Sequence, residues 1–305
     1  MSDLSVVIPS WNTRDLLRAC LISLANAWTA DDERPEVVVV DNASQDGSAD
    51  MVAAEFPEVH LIRNARNEGF ARGCNQGIAE SSGGLVLLLN ADTEIVGDAL
   101  ARLQRFLALH PEYGAAAPRL VNPDGSTQGG CMAFPNLETV AWFGTPLERW
   151  FPENHEVRRY FMRDWDHEDE RDVDQPPAAC LLVRRAVLDQ IGAFDEDLWL
   201  FFNDVDLSKR MRSAGWRTRY LPGARVVHHV GRSTRQFGDR VAEWQRNRLT
   251  YYRKHHGRPA GWWVKLWVAV TWFDWIVRNL LARLRGDPSE PLGSMTRAFA
   301  GFLLR

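Results

Sequence analysis

The sequence predicts an α/β fold, a mostly parallel sheet with helices on both faces, followed by a helical, Trp-rich tail. Three observations predict it. Before residue 85 the order apolar run, polar loop, amphipathic stretch occurs three times, which requires right-handed crossovers onto a parallel sheet. Leu85 to Leu89 is continuously apolar, as a strand covered on both faces must be, and it stops abruptly at Asn90, Ala91, Asp92, Thr93 and Glu94. The third is a shift in composition: from Arg240 onward there are 12 Lys and Arg against 4 Asp and Glu, whereas residues 1–239 carry a net charge of −12.

Taken in order, residues 4–8 form the first strand, ended by Pro9. Ser10, Trp11 and Asn12 make the next loop, and Thr13 is placed to cap a helix with the stripe Leu16, Leu17, Cys20, Leu21 and Leu24. Residues 37–40 are a second buried strand, running through a polar loop from Asp41 to Ser48 into a helix near 49–56. A third strand at 59–63 precedes Asn67-Glu68-Gly69-Phe70 and a helix over 71–80, which breaks before the central strand. In an open parallel sheet the ligand crevice lies outside the carboxyl ends of the strands, so Asn90, Asp92 and Glu94 stand at its rim. Hard oxygen ligands there suit Mg²⁺ or Mn²⁺ carrying a diphosphate, and an Asx-type turn closing the strand is the competing reading.

Beyond it come a helix near 98–109, a strand at 113–118 and the turn Asn122-Pro123-Asp124-Gly125. Residues 134–177 scatter Trp and Pro among charges without a period and read as a long loop excursion or lid. A buried strand resumes at 180–183, a short helix at 186–191, and an aromatic, acidic loop at 194–202. Asn203-Asp204-Val205-Asp206 opens a helix that stops at Gly215, with Asp206 read as a cap. Two short strands, 217–220 and 225–228, finish this part.

At 305 residues, 45% hydrophobic and 25% charged, the chain has room for one large domain or two small ones. An acidic body with a basic tail argues against general nucleic-acid binding and for a localised anionic partner such as a membrane surface. Cys20, Cys74, Cys131 and Cys180 form no C-x-x-C pair, so neither a zinc site nor a disulfide framework is implied. The first residues lack a basic segment followed by an apolar one, and the expectation is a cytoplasmic protein without a secretory signal. No G-x-G-x-x-G follows the first strand, which disfavours a nicotinamide dehydrogenase.

Residues 260–285 hold five of the thirteen tryptophans and are long enough to span a bilayer, yet Lys265, Asp274 and Arg278 interrupt them. On a helical wheel Lys265 and Arg283 fall on one line, with Asp274, Arg278 and Arg285 nearly opposite, so the apolar face is not clean. The expectation is a segment lying on the cytoplasmic face of a membrane, with packing against a partner subunit, as in a homodimer, the alternative. Asp287-Pro288 should break this helix, leaving a short amphipathic piece at 295–304.

Taken together, the polar loops resemble those of glycosyltransferase family 2, the inverting enzymes of GT-A fold, and most closely its rhamnosyltransferase-like members. The matching segments are Val6-Val7-Ile8-Pro9-Ser10-Trp11-Asn12, Val40-Asp41-Asn42-Ala43-Ser44, Asp46-Gly47-Ser48, and Asn67-Glu68-Gly69-Phe70 with Asn75. Leu88-Leu89-Asn90-Ala91-Asp92-Thr93, Leu181 to Arg185, Phe194-Asp195-Glu196, Asp204-Val205-Asp206-Leu207, and Ala214-Gly215-Trp216 to His228-His229 complete the set. The resemblance covers roughly residues 4–233. It implies a GT-A domain over 1–233, with a nucleotide-binding half to about 120 and an acceptor and catalytic half after it, and leaves 234–305 as the tail.

What the resemblance implies is transfer of a sugar from a nucleoside diphosphate to an acceptor hydroxyl, with Mn²⁺ or Mg²⁺ as cofactor. The branch implies L-rhamnose from dTDP-L-rhamnose, a glycan or polyprenyl-diphosphate-linked acceptor, and a place in cell-envelope polysaccharide assembly. Another donor sugar or a catalytically silent sugar-nucleotide-binding scaffold are the alternatives. Asp92 matches the metal-binding acid, with Asn90 where a first carboxylate often stands, and His228 matches a second metal ligand whose imidazole suits Mn²⁺. Asp41 matches the acceptor for the imide N–H of the base, framed by Pro9, Trp11 and Asn12. Asn67, Gly69, Asn75, Asn90 and Ala91 fall where the family wraps the nucleotide-sugar. Asp204 matches the general base, kept ionised by its place at a helix start. Asn203 replaces the usual Glu before that base, and Pro176-Pro177-Ala178-Ala179 replaces a small turn near the sugar. Trp199 and Phe202 suit stacking on a sugar, with core packing as the competing reading.

Overall fold

Among the described residues nine strands form one mixed sheet in the order β3-β2-β1-β4-β8-β6-β9-β5, with β7 added against β9. The computed structural model describes residues 3–28, 34–229, 240–285, 296, 299, 301 and 302. Strands β1 (Leu4–Ser10), β2 (Glu36–Asp41), β3 (His60–Arg63) and β4 (Leu85–Leu89) run parallel. Helices α1 (Arg14–Asn26), α2 (Ser48–Glu55) and α3 (Phe70–Ala79) make the crossovers. β8 (Cys180–Arg184) lies antiparallel to both β4 and β6 (Tyr113–Val121), and β6 pairs in parallel with β9 (Arg217–His228).

The unbroken apolar runs are explained by burial on two faces. Val6, Ile8, Leu87 and Leu89 pack with Leu17, Leu21 and Leu24 of α1 and with Leu100, Leu103 and Leu107 of α4 (Ala99–Leu109). Their neighbours Val7, Val86 and Leu88 point the other way, against Cys74 and Ile78 of α3, Val187 and Leu188 of α8 (Arg185–Ile191), and Leu207 and Met211 of α9 (Asn203–Ser213).

Several expectations need correction. Thr13 does not cap α1 with its side chain; Asp46, from the loop after β2, accepts the Arg14 N–H at 2.8 Å, so a different strand's loop closes that helix end. The two strands expected at 217–220 and 225–228 are one strand, β9, whose register slips between Pro118 and Arg119 of its partner. Thr93–Val96 is also a strand, β5, antiparallel to β9, and Arg171–Asp172 is another, β7.

Residues 134–177 are not a structureless lid. They contain α5 (Leu137–Trp142), α6 (Pro146–Trp150) and α7 (His155–Tyr160), each begun by a side-chain cap from Asn136, Thr145 or Asn154. The helices are too short to show a period, but their caps are standard ones.

The chain divides into two compact units, one comprising the described residues of 1–132 and 165–236, the other those of 133–164 and 237–305. In the second, α10 (Arg240–Arg285) turns at Gly257, which has φ +80° ahead of Pro259. It packs on α5 and α6: Arg248 donates to the Val140 carbonyl at 2.8 Å, Tyr252 to Asn136 at 3.0 Å, and Asp274 pairs with Arg149 at 2.9 Å. Ala260, Val264 and Val268 are buried, while Trp262, Leu266, Val270, Phe273, Val277 and Leu284 are exposed. The helix thus has two apolar faces separated by charges, which is why its wheel is not clean. The expected break at Asp287-Pro288 and most of the expected helix at 295–304 lie outside the described residues.

Candidate active site

The carboxyl ends of β1, β2 and β4 gather the polar loops at one edge of the sheet in the first unit. Three non-glycine residues bordering this edge have positive φ: Asn12 (51°), Ala43 (59°) and Phe202 (60°). Such backbones cost on the order of 1–3 kcal/mol each and persist where surrounding contacts over-determine them.

The register sets Ser10 of β1 beside Asp41 of β2, so their loops meet. The Asn12 N–H donates to Ser44 Oγ at 2.9 Å, and Asn12 Oδ1 accepts the Gln45 N–H at 2.7 Å. Pro9 is buried, with α3 pressed so close that a Cβ on Gly73 would lie 3.3 Å from its ring; Trp11 is half-buried. Asp41 is 3% exposed. Its Oδ2 accepts the Ser44 N–H at 3.0 Å, whereas Oδ1 is buried with no partner among the described residues. An unsatisfied buried carboxylate oxygen is costly, and a ligand N–H is the natural group to complete it.

At the end of β4 the backbone of Asn90 is fully tied. Its N–H donates to the Ala179 carbonyl at 2.9 Å, and its carbonyl accepts Thr93 Oγ1–H at 2.7 Å and the Cys20 thiol at 3.7 Å. The side-chain Oδ1 is buried without a partner among the described residues. Ala91 is buried in the core beneath it. Asp92 is 4% exposed, and its Oδ1 faces His228 Nε2 at 3.5 Å. Antiparallel pairing of Thr93 with His228 creates this contact between residues 136 apart. His229 points elsewhere: its N–H donates to the Asp92 carbonyl at 2.8 Å and its ring meets Glu94 at 2.7 Å.

Among the described residues no group of three or more His, Cys, Asp or Glu could hold a metal alone. A carboxylate, an imidazole nitrogen and a buried amide oxygen without a partner among the described residues are donor types that would fit a divalent cation completed by ligands from outside the protein.

Asp204 lies at the first turn of α9, and its carboxylate accepts backbone N–H groups of Val205 and Ala178. Ala178 precedes the Ala179 that holds Asn90, so the loop entering β8 touches both groups. The expectation of a lowered pKa is corrected: burial pushes Asp204 up from the usual carboxylate range, outweighing the hydrogen bonds from Val205, Ala178 and its own N–H, which act in the opposite sense. Asn203 is buried and caps nothing; its Oδ1 accepts the Asp204 N–H at 2.7 Å. Asp206 is also not a cap but a buried partner of Arg210 at 2.8 Å, which in turn holds the carbonyls of Ile191, Gly192 and Ala193.

Asn67 Oδ1 accepts the Gly69 N–H at 3.0 Å, closing an Asx turn. Asn75 braces the following loop: its Nδ2 donates to the Phe194 carbonyl at 2.9 Å and to Glu196 at 3.0 Å, and its Oδ1 accepts the Phe194 N–H at 2.9 Å. Asn67, Arg66, Glu68, Arg72, Glu196 and Trp199 line a cavity of about 440 Å³.

Sequence reasoning missed three supports. Asn42, Asn64 and Gln76 form a side-chain network beneath Gly69, in which Asn64 donates to Asn42 at 2.9 Å and to Gln76 at 2.8 Å. Glu94 was read only as a rim carboxylate and in fact meets His229. Gln128 contacts His228 through both ends of its amide; only its place after the Asn122 to Gly125 turn hinted that the chain doubles back there.

The glycosyl transferase family 2 model matches residues 5–192. An N-acetylglucosaminyl-diphospho-decaprenol L-rhamnosyltransferase of Mycobacterium tuberculosis is 30% identical over 273 residues, 85% of this chain and 86% of that protein. The O-antigen biosynthesis protein RfbC of Myxococcus xanthus is 27% identical over 76% of this chain and 18% of its own length. Among solved structures, the mannosyltransferase PcManGT from Pyrobaculum calidifontis, in complex with GDP-Man and Mn²⁺, superposes with a TM-score of 0.56 at 19% identity, covering 99% of this chain and 81% of that one. TarS of Staphylococcus aureus in complex with UDP gives 0.53 at 18% identity, covering 83% and 66%.

Proposed function

The chain belongs to glycosyl transferase family 2, and from that premise we propose that it is a metal-dependent inverting enzyme that transfers L-rhamnose from dTDP-L-rhamnose to a hydroxyl of a polyprenyl-diphosphate-linked glycan. The observation that carries the reading is the approach of Asp92 to His228 at 3.5 Å, two residues after Asn90, whose buried Oδ1 has no partner among the described residues. When bound, a divalent cation supplies the positive charge that stabilises the departing diphosphate. Asp92 and His228 would hold it, and Asn90 Oδ1 would serve as a further ligand or accept a hydrogen bond from a donor hydroxyl. Asp41 Oδ1 accepts the imide N–H of thymine, with Pro9, Trp11 and Asn12 framing the base. Asp204 accepts the acceptor hydroxyl proton as that oxygen attacks the anomeric carbon. Single displacement inverts the centre.

The mycobacterial relative acts on a decaprenyl-diphosphate-linked sugar, which supports the same acceptor class here. Among the described residues no helix is long and apolar enough to cross a membrane. The exposed stripe of α10 supports instead a helix lying on a membrane surface, the cytoplasmic one in this reading.

Uracil presents the same imide N–H as thymine, so Asp41 favours neither, and a UDP-sugar donor is the second reading. Thermal-shift titration with dTDP-L-rhamnose, UDP- and GDP-sugars, each with and without Mn²⁺, tests both. Stabilisation by dTDP-L-rhamnose that requires Mn²⁺ is expected. Stabilisation by UDP-sugars alone would move the donor to the second reading, and indifference to the cation would remove the metal.

A further inference from the structure

We propose that Gln128 is a positioning residue that fixes His228 in the tautomer with its proton on Nδ1, leaving the Nε2 lone pair turned toward Asp92. The inference rests on the metal-binding reading only for its purpose; the tautomer itself follows from hydrogen bonding within the first unit. Strand β6 ends at Val121, the Asn122 to Gly125 turn reverses the chain, and Thr127 bridges back to Val121. Gln128 is thereby laid beside the end of β9, where its own N–H donates to the Leu120 carbonyl at 2.9 Å.

Its side-chain amide can sit in only one orientation. Nε2 faces three oxygens: the His228 carbonyl at 2.7 Å, Asn122 Oδ1 at 2.9 Å and the Val121 carbonyl at 3.3 Å. Two of these are main-chain carbonyls, which only accept. Asn122 is fixed as well: the Ser126 hydroxyl gives its proton to Asp124 at 2.5 Å, so Ser126 Oγ can only accept from Asn122 Nδ2, 2.9 Å away. Turning the Gln128 amide over would set its oxygen against all three. The group facing the imidazole is therefore Oε1, 3.1 Å from His228 Nδ1. An amide oxygen accepts, so Nδ1 must carry the hydrogen, and in the neutral ring Nε2 then holds the lone pair. That nitrogen is the one 3.5 Å from Asp92 Oδ1. Two lone pairs facing each other cannot hydrogen-bond, and a divalent cation held by Asp92 and His228 would satisfy both.

Outer groups that orient a ligating histidine typically contribute about 10–100-fold in metal affinity. The test uses the full chain with ¹⁵N-labelled histidine, free of metal, and follows the His228 ring nitrogens by long-range ¹H–¹⁵N correlation, with His228→Gln to assign them. Wild type should show Nδ1–H. Gln128→Leu should lose that preference and bind Mn²⁺ about 10–100-fold more weakly. Gln128→Glu sets an oxygen against three acceptors and should lower the melting temperature, yet it keeps an acceptor for Nδ1–H and should retain the tautomer; a purely structural role predicts that melting temperature and tautomer are lost together. Nε2–H in the wild type, or an unchanged tautomer in Gln128→Leu, would overturn the inference. A tautomer that responds as described in a protein that binds no Mn²⁺ would uphold the inference and sink the metal reading alone.

Discussion

The indole of Trp199 occupies the space where a side chain on Gly69 would have to stand: a Cβ built there would lie 2.3 Å from Trp199 Nε1. The Trp199 carbonyl also accepts the Phe70 N–H at 2.9 Å, at the first turn of α3. The glycine is needed twice, for this approach and for its φ of +91°. The resemblance puts Gly69 where the family wraps the nucleotide-sugar; the close approach that the structure shows is to an indole.

Gly69→Ala should therefore destabilise the protein by about 1–3 kcal/mol through overpacking, with a further cost from the backbone. Adding Trp199→Ala should return part of that loss. Urea midpoints of the two single variants and the double variant check it, and strict additivity would refute the contact.

Asp204→Asn should lower kcat by about 10²–10⁴, the usual worth of a general base, while leaving dTDP affinity unchanged. Burial raises the Asp204 pKa, so the acidic limb of the rate profile should sit above the ordinary carboxylate range. The linkage has the opposite sense for stability. A carboxyl with a raised folded-state pKa favours folding in its protonated form, and that advantage is lost as pH rises from the unfolded value through the folded one. The Asn variant should accordingly melt higher than wild type at neutral pH and lose its lead in acid. Paired pH–rate and pH–melting curves check both halves; a variant that melts lower at neutral pH would contradict the burial argument.

Elements that carry their own signal were legible in the sequence. The doubly covered strands β1, β2 and β4 show as unbroken apolar runs, and the loops that follow them bear the family's segments. What stayed hidden is whatever depends on pairing across long separations. The local pattern near Asp92 does not announce His228; the family resemblance names both, and the antiparallel register of β5 and β9 that joins them is invisible locally because β5 is only four residues long. Asp46 closing α1 and Gln128 bracing His228 are side chains supplied by other loops, which local capping rules do not reach. The short helices α5 to α7 fail the periodicity test by length alone, although Asn136, Thr145 and Asn154 had marked their starts.

Asp41→Ala should weaken dTDP binding by about 10–100-fold, since a hydrogen bond to a charged group contributes about 1.5–3 kcal/mol. The orphaned Oδ1 lies apart from the Asp92–His228 pair in the hydrogen-bond pattern, so Mn²⁺ affinity measured without nucleotide should not change. Calorimetric titration of each ligand separates the two. Equal loss of both would mean that the loop after β2 collapses without its carboxylate.

The last prediction concerns the exposed side of α10. Trp262 is 72% exposed, Phe273 67% and Leu284 84%, and with Leu266, Val270 and Val277 between them they recur at helical spacing along one face. Lys265 stands at its edge with its ammonium 5.3 Å from the Trp262 ring. Seating each aromatic in an interface contributes about 1.5–3 kcal/mol, so Trp262→Glu with Phe273→Glu in the full chain should reduce flotation with anionic vesicles by more than about a hundredfold. Truncation near Gly257 would be a poor substitute, because it removes Ala260, Val264 and Val268 from the core of the second unit. Point substitutions on the outward face leave that core intact, as an unchanged melting temperature should verify. Undiminished flotation of the double variant would show that this face does not meet lipid.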